Sequence, residues 1–139
     1  MSVLENIQTG LPASAHGKVP DDLYELFPVL WDMRKRKGGN LSGGQQQQLA
    51  IARALATNPK VLLLDEPTEG IQPSIIKDIA RTLKEIRDQR DLTIVVSEQV
   101  LSFTMAMADR FLVIDKGRFA YENVRENVDE TTISKYLSV

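Results

Sequence analysis

Two rhythms of apolar residues run along the chain. From Pro73 to about Gln89, Ile75, Ile76, Ile79, Leu83 and Ile86 recur at helical spacing, which predicts a long helix with one buried stripe. Val61-Leu62-Leu63-Leu64, Leu92–Val96 and Phe111–Ile114 are short continuous apolar runs instead. They predict strands, the first buried on both faces as in a parallel sheet and the second likewise buried. Ser42 is placed to cap a helix from Gly43 to about Thr57, which Asn58-Pro59 stops. Shorter helices are expected near Val3–Thr9, after Asp21-Asp22 with Leu23, Leu26 and Phe27 on one side, from Pro28 through Met33, over Val100–Ala108 and over Thr131–Leu137. Gly38-Gly39-Asn40 breaks the chain after the basic run Arg34-Lys35-Arg36-Lys37. Lys116-Gly117 turns the third strand into a short return strand at Arg118–Tyr121. Strands alternating with helices predict an α/β protein with a largely parallel sheet. There is no internal repeat, and the four glutamines Gln45–Gln48 read as a polar helix face.

Composition narrows the function classes. The 139 residues are enough for one domain, or for part of a larger one. Seventeen Lys and Arg against nineteen Asp and Glu leave a net charge of -2, which argues against a nucleic-acid binder held by overall charge. Without cysteine there is no disulfide, Cys-ligated zinc or Cys nucleophile. No apolar run approaches the ~20 residues that span a bilayer. The opening residues have no basic start followed by an apolar stretch, so no signal peptide is expected.

Two constellations carry candidate chemistry. In Leu41-Ser42-Gly43-Gly44-Gln45, a Ser and two Gly at a helix start leave backbone N–H groups unshielded at the positive end of the helix dipole, a geometry that suits phosphate. Taken alone, the same residues are better read as an N-cap with flexible glycines. Asp65-Glu66 follows the run Val61–Leu64 at the strand's C-terminal end, where parallel α/β sheets bind ligands. One carboxylate there suits Mg²⁺ and the next suits orienting or deprotonating a water, while the bland alternative is two solvated acids.

Read together, Leu41 to Leu55 followed by Asn58-Pro59-Lys60-Val61-Leu62-Leu63-Leu64-Asp65-Glu66-Pro67-Thr68 resembles the signature motif and Walker B region of the ATP-binding-cassette (ABC) ATPases. Within that family the chain looks most like ATP-binding subunits of urea and branched-chain amino-acid importers. Tyr24 to Leu30, the four glutamines and Glu69 to Ile76 suggest the urea type. The resemblance implies that Ser42, Gly43, Gly44 and Gln45 contact ATP bound on an opposite subunit. It implies that Asp65 holds Mg²⁺, that Glu66 polarises the attacking water, and that Glu69–Gln72 passes between subunits. Gln99 falls where many relatives carry a histidine that senses the terminal phosphate, and Gln48 where many have Arg. The implied partners are transmembrane permease subunits and a second ABC subunit, with no nucleic acid, at the cytoplasmic face of the cell membrane.

Complete family members also carry a Gly-rich phosphate loop ending in Gly-Lys-Ser/Thr, and none of the eight lysines here follows that pattern. The resemblance therefore places Met1 at the middle of a cassette, with a helical subdomain over 1–58 and the C-terminal half of the core over 59–139. It implies an ATPase whose chain alone is inactive. In relatives a phosphate-loop strand separates the equivalents of Leu92–Val96 and Phe111–Ile114. Without it, these strands are expected to pair directly or to exchange elements in a homo-oligomer. Competing readings are a soluble ABC ATPase of DNA repair or translation, disfavoured by the lack of basic excess and of long coiled-coil insertions, and a non-catalytic self-associating fragment. His16 is expected in an exposed loop, Arg34–Lys37 as a solvated helix end, Met105 and Met107 as packing, and Trp31 as a partly buried structural residue.

Overall fold

The computed structural model describes residues 1–137. The chain divides into two compact units, Met1–Ser97 and Glu98–Val139.

The first unit opens with α1 (Val3–Gln8), which buries Val3 and Ile7. Its capping box is reciprocal: Ser2 Oγ accepts from the Glu5 amide at 3.2 Å, and the Ser2 amide donates to Glu5 Oε2 at 2.6 Å. The bond donated by the Ser2 amide holds the Glu5 carboxyl below its ordinary range by stabilising the ionised form. Next come α2 (Asp21–Leu26) and α3 (Pro28–Asp32), with Pro28 at its first position. The helix α4 (Gly43–Leu55) buries Gly44, Leu49, Ile51, Ala52 and Leu55. It stops two residues before the expected end, and Asn58, in a left-handed conformation, donates its amide to the Leu55 carbonyl at 2.9 Å. Then β1 (Val61–Asp65), α5 (Pro73–Arg90) and β2 (Thr93–Ser97) form a β-α-β unit whose strands pair in parallel, Leu62 opposite Ile94 and Asp65 opposite Ser97.

One side chain draws these helices together. Arg90, the last residue of α5, donates to Asp22 Oδ2 from Nη2 at 2.5 Å and from Nε at 3.1 Å. Its Nη1 donates to the Leu55 carbonyl at the end of α4, at 3.1 Å. The planar fork of Arg suits this double engagement.

The second unit carries α6 (Leu101–Met107), which buries Phe103 and Met107 but leaves Met105 half-buried. The hairpin β3 (Arg110–Asp115) and β4 (Arg118–Val124) is antiparallel, with a bulge between Val113 and Ile114. Lys116 and Gly117 both have positive φ, the conformation that matches strand twist in a two-residue turn. The return strand runs three residues beyond its expected end. Finally, α7 (Glu130–Leu137) buries Ile133. Asp129, just before it, accepts from the Thr132 hydroxyl and from the Thr131 amide, which hold its carboxyl below the ordinary range.

The α/β class is as expected, and the strands differ from expectation in two ways. Strand β1 is not buried on both faces: Leu62 is 4% exposed, but Leu63 is 73% exposed and Val61 is exposed with it. In β2, Val95 is exposed and Ile94 only half-buried, so that strand too is covered on one side. A two-stranded ribbon has only one face turned to the core, and side chains alternate across it. Among the described residues each strand pairs within its own unit. The strands form two separate two-stranded sheets, β1 with β2 and β3 with β4. The hairpin strands β3 and β4 are joined by a two-residue turn, so their pairing costs little loop-closure entropy.

His16 is exposed, as expected. Trp31 is more open than expected, at 49% exposed, with Tyr24 edge-on at 4.9 Å and the Arg34 guanidinium 4.0 Å over its ring. Burial raises the Tyr24 hydroxyl above its ordinary range. The basic run is not a helix end. It lies beyond α3, where the Arg34 and Arg36 carbonyls accept from the Leu4 and Val3 amides.

Candidate functional site

The start of α4 is a second capping box. Ser42 is extended, its Oγ accepts from the Gln45 amide at 3.4 Å, and its own amide donates to Gln45 Oε1 at 3.0 Å. The Gln45 side chain is thereby engaged with Ser42. The amides of Gly43 and Gly44 have no partner among the described residues. They are the first two N–H groups of a 13-residue helix and lie at its positive end. Ser42 and Gly43 are exposed and Gly44 is buried.

The two glycines do different things. A Cβ on Gly44 would lie 2.5 Å from Ile75 Cγ2, closer than atoms pack. Gly44 is therefore required where α4 meets α5, apart from any ligand. A Cβ on Gly43 would meet Ile71 Cδ1 at 3.6 Å and the Gly70 carbonyl at 3.9 Å, ordinary contacts. The sequence pattern of a Ser and two glycines did not reveal the Ile75 contact, because Ile75 reads only as part of the buried stripe.

Asp65 closes β1 with an exposed side chain opposite Ser97 of β2. Glu66 then takes a left-handed backbone, φ 43°, and its amide donates to the Ser97 carbonyl at 2.8 Å. Left-handed backbone is uncommon for a residue with a side chain, so the neighbourhood must enforce it. The enforcing contacts are visible. Pro67 and Thr68 are buried, the Glu69 amide donates to the Glu66 carbonyl at 3.1 Å, and the Ile71 amide donates to the Thr68 carbonyl at 3.1 Å. Gly70 has φ 68°, and extended Gln72 leads into Pro73 at the first position of α5. The loop from Asp65 to Gln72 is thus a chain of turns between β1 and α5, and Gly43 packs beside its far end while Gly44 meets Ile75 of α5.

Gln99 follows β2 at the start of the second unit and is exposed. The Glu98 carboxylate accepts from the Gln99 amide at 2.9 Å and the Val100 amide at 3.1 Å, which shapes the entry to α6. Among the described residues no group of three or more His, Cys, Asp or Glu could hold a metal ion. Asp65 is a single exposed carboxylate. That fits a Mg²⁺ carried largely by water and a ligand's phosphates, rather than an all-protein site. Nor is any helix among the described residues long and apolar enough to cross a membrane.

Residues 6–69 match the family model described as ABC transporter. This stretch is part of an ABC transporter ATPase domain. It is 42% identical over 98 residues to the high-affinity branched-chain amino acid transport ATP-binding protein BraG of Pseudomonas aeruginosa, covering 70% of this chain and 42% of that protein. It is 39% identical over 127 residues to the sulfate/thiosulfate import ATP-binding protein CysA of Methylococcus capsulatus, covering 85% of this chain and 36% of that one. Among solved structures, a dimeric bacterial ABC transporter cassette superposes with a TM-score of 0.74 at 26% identity, over 90% of this chain and 57% of that chain. The chain thus spans less than half the length of these two curated relatives, whose named solutes differ.

Proposed function

We propose that the chain supplies half of a nucleotide sandwich in an importer's ATP-binding subunit. The observation that carries this reading is the start of α4, where the unpartnered Gly43 and Gly44 amides sit at the positive end of a capped helix beside the Gly70–Gln72 loop. In this reading Ser42, Gly43, Gly44 and Gln45 face the phosphates of ATP held by a second cassette. Asp65 is the carboxylate for Mg²⁺, whose charge would offset that of the phosphates. Glu66 orients the attacking water for the nucleotide on its own subunit, and Gln99 senses the terminal phosphate. Residues 1–58 act as the helical, partner-facing part and 59–139 as part of the nucleotide core.

The proposed partners are a second cassette and transmembrane permease subunits at the cytoplasmic face of the membrane, with no nucleic acid. The similarity to BraG favours branched-chain amino acids as solute, and the stretches Tyr24–Leu30 and Glu69–Ile76 favour urea. The exposed apolar residues Leu63 and Val95 of the ribbon, and Ile114 and Phe119 of the hairpin, support self-association. Since the 139 residues hold no Gly-Lys-Ser/Thr phosphate loop, Asp65 and Glu66 have no positioned substrate, and the chain alone is proposed to be inactive.

Sedimentation of the chain with a complete cassette of the family, with and without ATP, tests the reading. ATP should promote association with wild type and not with Ser42→Arg, whose bulk blocks the helix start. Phosphate release by the chain alone should stay at background. The same association with and without ATP would refute the sandwich, and a turnover abolished by Glu66→Gln would refute the inactivity.

A further inference from the structure

We propose that Ile75 is a positioning residue whose Cγ2 methyl locks the first turn of α4 to the loop Glu66–Gln72, so that the two segments move as one body. The proposal rests on the nucleotide reading above, since it concerns the amides assigned to phosphate. Ile75 is the third residue of α5, and its amide donates to the Gln72 carbonyl at 3.0 Å. The side chain therefore sits one turn from the loop, on a helix that begins where the loop ends. Its Cγ2 lies 2.5 Å from where a Gly44 Cβ would be, and its Cβ and Cγ1 lie 3.4 Å from that point. A β-branched side chain in a helix is nearly confined to one χ1 rotamer, so this methyl has little freedom to yield.

The rest of α5 makes the contact a lock. At the opposite end of α5, Arg90 holds the carbonyl of Leu55, the last residue of α4. Start meets start through Ile75 and end meets end through Arg90, so the two helices run in the same direction and are fastened at both termini. Between these points α5 is anchored by buried Ile79, Leu83 and Ile86. Gly43 adds a looser contact with Ile71 and Gly70. Any shift of the turns that follow Glu66 is then carried to Gly43 and Gly44 through the first turn of α5.

The test compares Ile75→Val, which keeps the branched methyl, with Ile75→Leu, which keeps the volume and moves the branch. Both are made in the full chain, and the readout is the amide shifts and hydrogen exchange of Gly43, Gly44, Gly70 and Ile71. Val should leave these amides as in wild type. Leu should shift them and speed their exchange about tenfold, at a similar denaturation midpoint. Equal behaviour of Val and Leu, or changes that merely follow the midpoint, would reduce Ile75 to ordinary packing and overturn the proposal. Gly44→Ala should perturb the same amides, and adding Ile75→Ala should restore them by vacating the space. A double variant no closer to wild type than Gly44→Ala would also overturn it. These measurements need no nucleotide. A Val/Leu difference without ATP-dependent association in any variant would uphold the lock and remove the nucleotide reading alone.

Discussion

Replacing Arg90 with alanine should loosen the helical part of the first unit by about 2 kcal/mol. The guanidinium is 15% exposed at its side chain, while its partner Asp22 is 43% exposed. Water can therefore replace much of the Asp22 interaction, and that half is worth about 0.5–1 kcal/mol. The Leu55 carbonyl still receives the Asn58 amide at 2.9 Å after the substitution, so it is not orphaned. Losing its second, charge-assisted donor should cost about 1–1.5 kcal/mol, with a little more from the buried stem. Arg90→Lys keeps the charge but cannot bridge both partners as a planar fork does, and should cost about half as much. Trp31, the only tryptophan, contacts Tyr24 on the same helix as Asp22, so its fluorescence during urea unfolding reports on this region. The urea midpoint should fall by roughly 1 M for Arg90→Ala with the slope unchanged. An alanine variant within 0.5 kcal/mol of wild type, or a lysine variant as costly as alanine, would refute this account.

Three further outcomes are expected. Leu63→Thr should change stability by less than about 0.5 kcal/mol, whereas Leu62→Ala should cost about 2–4 kcal/mol; equal costs in denaturation would mean that both faces of β1 are covered. Asp91, the left-handed residue after α5, should gain about 0.5 kcal/mol on replacement by glycine, because relief of the backbone and removal of a negative charge from the helix end outweigh the added chain entropy; a loss in the same urea titration would count against it. Asp129 binds its proton more weakly folded than unfolded, so its support of α7 is complete above its unfolded value of about 3.9 and is lost as pH falls through the lowered folded value. The Thr131 amide shift should titrate in that acidic window and be flat in Asp129→Asn.

Local signals were legible in the sequence, and contacts between distant segments were not. The stripe on α5, the serine before α4 and the Lys116-Gly117 turn each follow from a few neighbouring residues, and the structure has all three. Continuous apolar runs say less. Val61–Leu64 reads the same whether one face of a ribbon is covered or two, because coverage depends on how many layers surround the strand and not on the strand itself. The site shows the same division. Asp65-Glu66 at a strand end was visible, but the left-handed backbone of Glu66 depends on the buried Pro67 and Thr68 and the turns that follow them. Gly44 is the sharpest case. Its lack of a side chain has a sufficient steric reason in Ile75, 31 residues later, so the second glycine alone is not evidence for a ligand. Gly43 has no such reason, since a Cβ there meets only ordinary contacts. What favours a phosphate is therefore Gly43 and the two unpartnered amides, with Gly44 fixing where they stand.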